Sequence, residues 1–118
     1  MQYNKKYHIN RMEKYGWFVC EVRENFVFVS TNKKGFDKLS PFFIIVPKRK
    51  IVIHYGISNY IFASKHFKII NGYLKCKYKF KFEHYYCDYE ILKGYLFERK
   101  PIFFEQLGKY RFKDARVK

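Results

Sequence analysis

The sequence predicts a small α+β domain: a mostly antiparallel sheet with one to three short helices. Three observations carry that prediction. The chain has 118 residues, an ordinary length for one domain, of which 48% are hydrophobic and 23% aromatic, enough to build a core without disulfides or metal. Short apolar and β-branched runs closed by Pro, Gly or Asn recur through the first two thirds of the chain. Beyond Phe82 the apolar spacing changes from two residues to three and four.

Residues 2–15 are weakly helical, with Tyr3 and Tyr7 four apart, Met12 and Tyr15 three apart, and Gly16 placed to end the helix. Residues 17–22 and 26–30 read as two strands joined at Arg23-Glu24-Asn25, where Asn25 suits a turn. Residues 31–35 are a loop by composition. Phe42–Val46 is wholly apolar and closed by Pro47, the pattern of a buried strand. The basic turn Lys48-Arg49-Lys50 leads into Ile51–Tyr55, a strand of high β-propensity ended by Gly56.

Residues 59–64 and 66–70 are expected to form further strands. Asn71-Gly72 is the strongest turn signal in the chain, because both central residues of a type I′ hairpin need positive φ. It predicts that residues 66–70 pair with the alternating stretch YLKCKYKFKF, residues 73–82. Residues 83–98 lean helical: Tyr85, Tyr89, Leu92 and Leu96 share one face, against a Gly94 that costs about 1 kcal/mol in a helix interior. Residues 101–107 carry Pro101 at a first helical position and Gly108 just past the end, the signature of a short helix. Residues 109–118 form a basic tail, expected to be flexible, and residues 1–118 read as a single domain.

The charge is far from balanced. Lysine and arginine number 25 against 10 carboxylates, for a net charge of +15. Lys, Asn, Ile, Tyr and Phe all have A/T-rich codons, so abundance alone says little; a virus, phage or other mobile element with a compact A/T-rich genome would produce this composition. Placement says more. Residues 38–82 hold ten lysines and arginines and no carboxylate. Excluding acids lets a positive field develop, which is what a phosphate backbone requires.

Read as a strand, residues 73–82 put Lys75, Lys77, Lys79 and Lys81 on one face about 6.5 Å apart, a one-signed comb about 20 Å long. Such a row could track a phosphate backbone without reading sequence. One or two lysines are enough to guard an edge strand against aggregation. Four exceed that need, with Lys48, Arg49, Lys50, Lys65 and Lys68 in the same acid-free region. Tyr55, Tyr60 and Tyr73 lie there too and are the candidates for stacking on unpaired bases.

No catalytic signature appears: there is no Gly-rich phosphate loop, paired-carboxylate site or nucleophile elbow. His84 and Cys87 have a ligand-like spacing, with Cys76 upstream, but a zinc site needs a second close pair, so no metal and no other cofactor is expected. Cys20, Cys76 and Cys87 read as reduced thiols of a cytoplasmic protein. No apolar run could span a bilayer, residues 1–16 lack the apolar core of a signal peptide, and no membrane partner is expected.

The first expectation is therefore a small non-enzymatic nucleic-acid-binding protein, for DNA or RNA. A second is an inhibitor or accessory factor that docks on an acidic protein or a nucleoprotein complex, such as a host defence complex. A third is a metal-independent endoribonuclease, with His54 or His66 as general base because imidazole titrates near neutrality.

Overall fold

A computed structural model describes residues 5–56 and 60–109, with side chains described from 10–56 and 66–109. The described elements run α1 (Lys5–Lys14), β1 (Phe18–Val22), β2 (Val27–Ser30), β3 (Phe42–Val46), β4 (Ile51–Tyr55), α2 (Tyr60–Lys77), β5 (Glu83–Tyr86), α3 (Tyr89–Glu98) and β6 (Gly108–Lys109). Short 3₁₀ turns occupy Pro47–Arg49 and Phe104–Gln106. The strands form one six-stranded sheet in sequence order, β1 to β6. All neighbours are antiparallel except β4 and β5, which are parallel and joined by α2 as the crossover.

The two-residue period of the central strands sorts the core. Val27, Val29, Phe43, Ile45 and Val52 bury one sheet face against Met12 of α1 and Phe67, Ile70, Tyr73 and Leu74 of α2. Phe28, Phe42, Ile44, Val46, Ile51 and Ile53 bury the other against Leu92 and Leu96 of α3 and against Ile102. β3 is buried on both faces, which is why it reads as an unbroken apolar run.

The α+β prediction holds, as do β3 and β4 with their predicted bounds. The stretch 60–82 does not match. No hairpin forms at Asn71-Gly72: both residues lie inside the 18-residue helix α2, which takes the place of the strands expected over 59–64, 66–70 and the first half of 73–82. Residue 59 lies outside the described residues. The helix wins because His66, Phe67, Ile70, Tyr73 and Leu74 repeat at three- and four-residue intervals and lie together against the sheet. Residues 83–98, expected to lean helical, divide into β5 and α3, and the short helix of 101–107 shrinks to one 3₁₀ turn. Of the expected basic tail, Lys109 belongs to β6, and residues 110–118 lie outside the described residues.

Candidate functional site

The Pro47–Arg49 turn and the entry to β5 meet at one end of the sheet. The backbone N–H of Glu83 donates to the carbonyl of Lys50 at 3.0 Å, so the α2–β5 loop, residues 78–82, lies beside the turn. The Lys50 ammonium stands 5.2 Å from the centre of the Phe80 ring. Phe80 in turn shares the lining of a cavity with Lys75 and Lys81. Lys50, Lys75 and Lys81 therefore meet around Phe80 at this end, and Lys48 and Lys79 are their near neighbours in the chain. All five are exposed, and none forms an ion pair among the described residues. The next carboxylate along the chain, Glu83, is already engaged. It accepts from the Tyr85 hydroxyl at 3.0 Å and pairs with Lys109 at 3.4 Å, which together hold it below the usual carboxylate range.

The lysines meet by a different route from the one expected. The straight comb of 73–82 does not exist, because Lys75 and Lys77 lie on a helix and Lys79 and Lys81 on a loop. Lys75 and Lys77 occupy the last turn of α2, where a cation also offsets the negative end of the helix dipole. Lys77 bends back to within 3.5 Å of the Tyr73 hydroxyl and 5.5 Å of the Tyr78 ring centre. Lys68 is exposed one heptad before Lys75 on the same helix face, about 10 Å away along the axis.

Arg49 is a structural tie. Its Nη1 donates to the Ile102 carbonyl at 2.8 Å, and its guanidinium lies 4.4 Å from the Phe104 ring centre. Tyr73 is not an exposed stacking ring: it is 1% exposed in the core, and burial, with Tyr78 and Cys76 nearby, pushes its phenol up to about 12. Tyr55 sits at the far end of β4, packed on Phe42 and Tyr89, with its hydroxyl donating to the Lys38 carbonyl. The side chains of Tyr60 and Lys65 lie outside the described residues.

Three histidines far apart in sequence form a buried chain. His66 Nε2 lies 2.9 Å from His54 Nδ1, His54 Nε2 lies 2.8 Å from His84 Nδ1, and His84 Nε2 lies 3.2 Å from Asn71 Oδ1. With Asn71 presenting its carbonyl oxygen, the directions follow: His84 Nε2–H donates to Asn71, His54 Nε2–H to His84, and His66 Nε2–H to His54. Each ring is neutral; His54 and His84 act as donor and acceptor at once, and His66 donates at the head of the chain. Burial holds His54 well below the usual imidazole range, with His66 and His84 adding to the effect. Burial and His84 lower His66 to about 3, and burial lowers His84 to about 4. His54 and His66, 0% and 1% exposed, are thus core hydrogen-bonding groups and cannot reach a substrate as general bases.

The cysteines are free thiols, and burial pushes Cys87 up to about 11. Among the described residues no three His, Cys, Asp or Glu side chains are grouped to hold a metal ion, and no helix is long and apolar enough to cross a membrane.

The cavity at the basic end has a volume of about 280 Å³ and is lined by Asn71, Leu74, Lys75, Phe80, Lys81, Phe82 and His84. The Phe80 and Phe82 ring centres stand 5.1 Å apart, and Phe80 is 37% exposed. Sequence reasoning missed Phe80, Phe82, Asn71 and His84. A signal for Asn71 was present: Asn-Gly in the middle of an apolar helical pattern is unfavourable, and Asn71 sits there to accept from His84.

No protein-family model matches the chain, and no curated protein and no solved structure matches it either.

Proposed function

We propose that this chain is a small non-enzymatic nucleic-acid-binding protein that grips the phosphate backbone at the end of its sheet. The observation that carries the reading is the convergence of Lys50, Lys75 and Lys81 around the partly exposed ring of Phe80, with Lys48 and Lys79 beside them in the chain, all exposed and without acidic partners among the described residues. Ammonium groups clustered without counter-charge repel one another, and a polyanion relieves that repulsion. Phosphate contacts of this kind position a strand without reading its sequence.

The test is a titration of labelled DNA and RNA from about 50 to 200 mM salt, comparing wild type with a Lys75→Gln, Lys79→Gln, Lys81→Gln variant. A second variant, Lys33→Gln, Lys34→Gln, Lys93→Gln, removes the same charge from other surfaces. Each lost phosphate contact flattens the slope of log K against log salt by about 0.7 to 0.9, so the site variant should lose about two units and the control much less. Equal slopes in the two variants would refute the reading.

A second reading, docking on an acidic protein or a nucleoprotein complex, draws on Phe103 and Phe104, exposed at 58% and 51% beside Arg49. It predicts association with a protein partner that persists at high salt and is lost on changing both rings to Ser.

A further inference from the structure

We infer that the cavity between the C-terminal half of α2 and the 78–82 loop takes one unpaired nucleobase, with Lys75 and Lys81 holding the phosphate attached to it. The inference rests on the nucleic-acid reading above and names the form of nucleic acid that this end of the sheet selects.

The chemistry of the wall carries it. Phe80, Phe82 and Leu74 supply the apolar and aromatic surface that a base needs once it leaves its stack. Asn71 supplies a polar edge, and with its Oδ1 committed to His84 the amide N–H is what it has left to offer a ligand. An amide N–H is the donor that a base carbonyl or ring nitrogen accepts. His84 is held by its own bonds to His54 and Asn71, which fixes the Asn71 amide plane from behind. Lys75 and Lys81 complete the lining, both exposed and outside any ion pair among the described residues.

The size agrees. A volume of about 280 Å³ lies just under the range of about 300 to 1,000 Å³ that takes drug-sized ligands, which suits a group the size of a nucleobase. A free phosphate would leave the two phenyl rings without a role, and an apolar ligand would leave the Asn71 amide and two ammonium groups desolvated and unmatched. A base with its phosphate uses the two rings, the Asn71 amide and both ammonium groups. Paired bases cannot enter, so the site discriminates single strands, bulges and flipped nucleotides from intact duplex.

The experiment compares three labelled oligonucleotides of equal length at one salt concentration: a single strand, an intact duplex, and a duplex with one unpaired base. Wild type should bind the single strand and the bulged duplex at least tenfold more tightly than the intact duplex. Phe80→Ala should weaken those two by about 5- to 150-fold, the range of one base–aromatic stack, and weaken the intact duplex by much less. A second readout on the wild-type protein uses 2-aminopurine at the unpaired position, whose fluorescence should change on binding only there. Equal wild-type affinity for bulged and intact duplex overturns the inference, and so does an unpaired 2-aminopurine that stays blind to binding. Either result leaves the basic surface standing if the salt slopes behave as above. Failure to bind any of the three oligonucleotides overturns the nucleic-acid reading and this inference with it.

Discussion

Acidification from pH 7 to pH 5 should destabilise this fold steeply, because the His66–His54–His84 chain must stay neutral to exist. Unfolded, each histidine takes up a proton near its ordinary value of about 6.5. Folded, His66 and His84 are lowered to about 3 and about 4, and His54 lies well below the usual range. Between those limits the unfolded chain binds more protons than the folded one, so stability falls as pH falls. It is fully present above about pH 7, declines through 6.5, and levels off only once the folded rings protonate below about pH 4.

At pH 5 an unfolded histidine is almost wholly protonated. With one pKa unit worth about 1.4 kcal/mol, each ring then loses about 2 kcal/mol of stability, and three lose about 6. A domain is stable by about 5 to 15 kcal/mol in all, so this loss brings it close to unfolding. Urea denaturation at pH 7, 6 and 5 measures the effect, and the slope at pH 5 should correspond to uptake of about three protons. His84→Gln should reduce it by about one proton. Constant stability from pH 7 to 5 would mean that the histidines are not buried as neutral donors and acceptors, and would refute the reasoning.

Three further outcomes separate structural residues from binding ones. Tyr73→Ala should cost about 3 to 5 kcal/mol in denaturant unfolding, as for other large aromatic truncations in a core, and leave the salt slope of nucleic-acid binding intact. Arg49→Ala should cost about 1 to 3 kcal/mol through its lost bond to the Ile102 carbonyl, since that bond anchors the segment before β6. Lys50 has φ of 57°, in the left-handed region, so Lys50→Gly should raise stability by about 1 kcal/mol while weakening nucleic-acid binding.

The parts legible in the sequence were those set by local periodicity. Phe42–Val46 and Ile51–Tyr55 are β-branched and aromatic runs bounded by Pro47 and Gly56, and no helical pattern competes there. Residues 73–82 were misleading because two periods overlap. The lysines alternate over the seven residues 75–81, but Tyr73 and Leu74 also complete a helical face that begins at His66. The longer pattern prevails because it buries more surface, and a turn dipeptide such as Asn71-Gly72 cannot interrupt it at about 1 kcal/mol for the glycine.

The candidate site was legible in its charge and hidden in its geometry. An acid-free stretch predicts a positive surface. Only the parallel pairing of β4 with β5 brings the 47–50 turn beside the 78–82 loop. The histidine chain was hidden for the same reason, since His54, His66 and His84 come from a strand, a helix and a second strand. One trace of it was readable: His54 shares the parity of Val52 on a strand expected over 51–55, and where that face is buried an imidazole needs partners.

The most direct measurement is residue-resolved. Amine acetylation followed by mass spectrometry, with and without a single-stranded oligonucleotide, reports which lysines the nucleic acid covers. Lys48, Lys50, Lys75, Lys79 and Lys81 should be protected, while Lys33, Lys34 and Lys93, exposed elsewhere on the molecule, should react as before. Protection spread evenly over all eight, or confined to the second group, would contradict a binding surface at this end of the sheet.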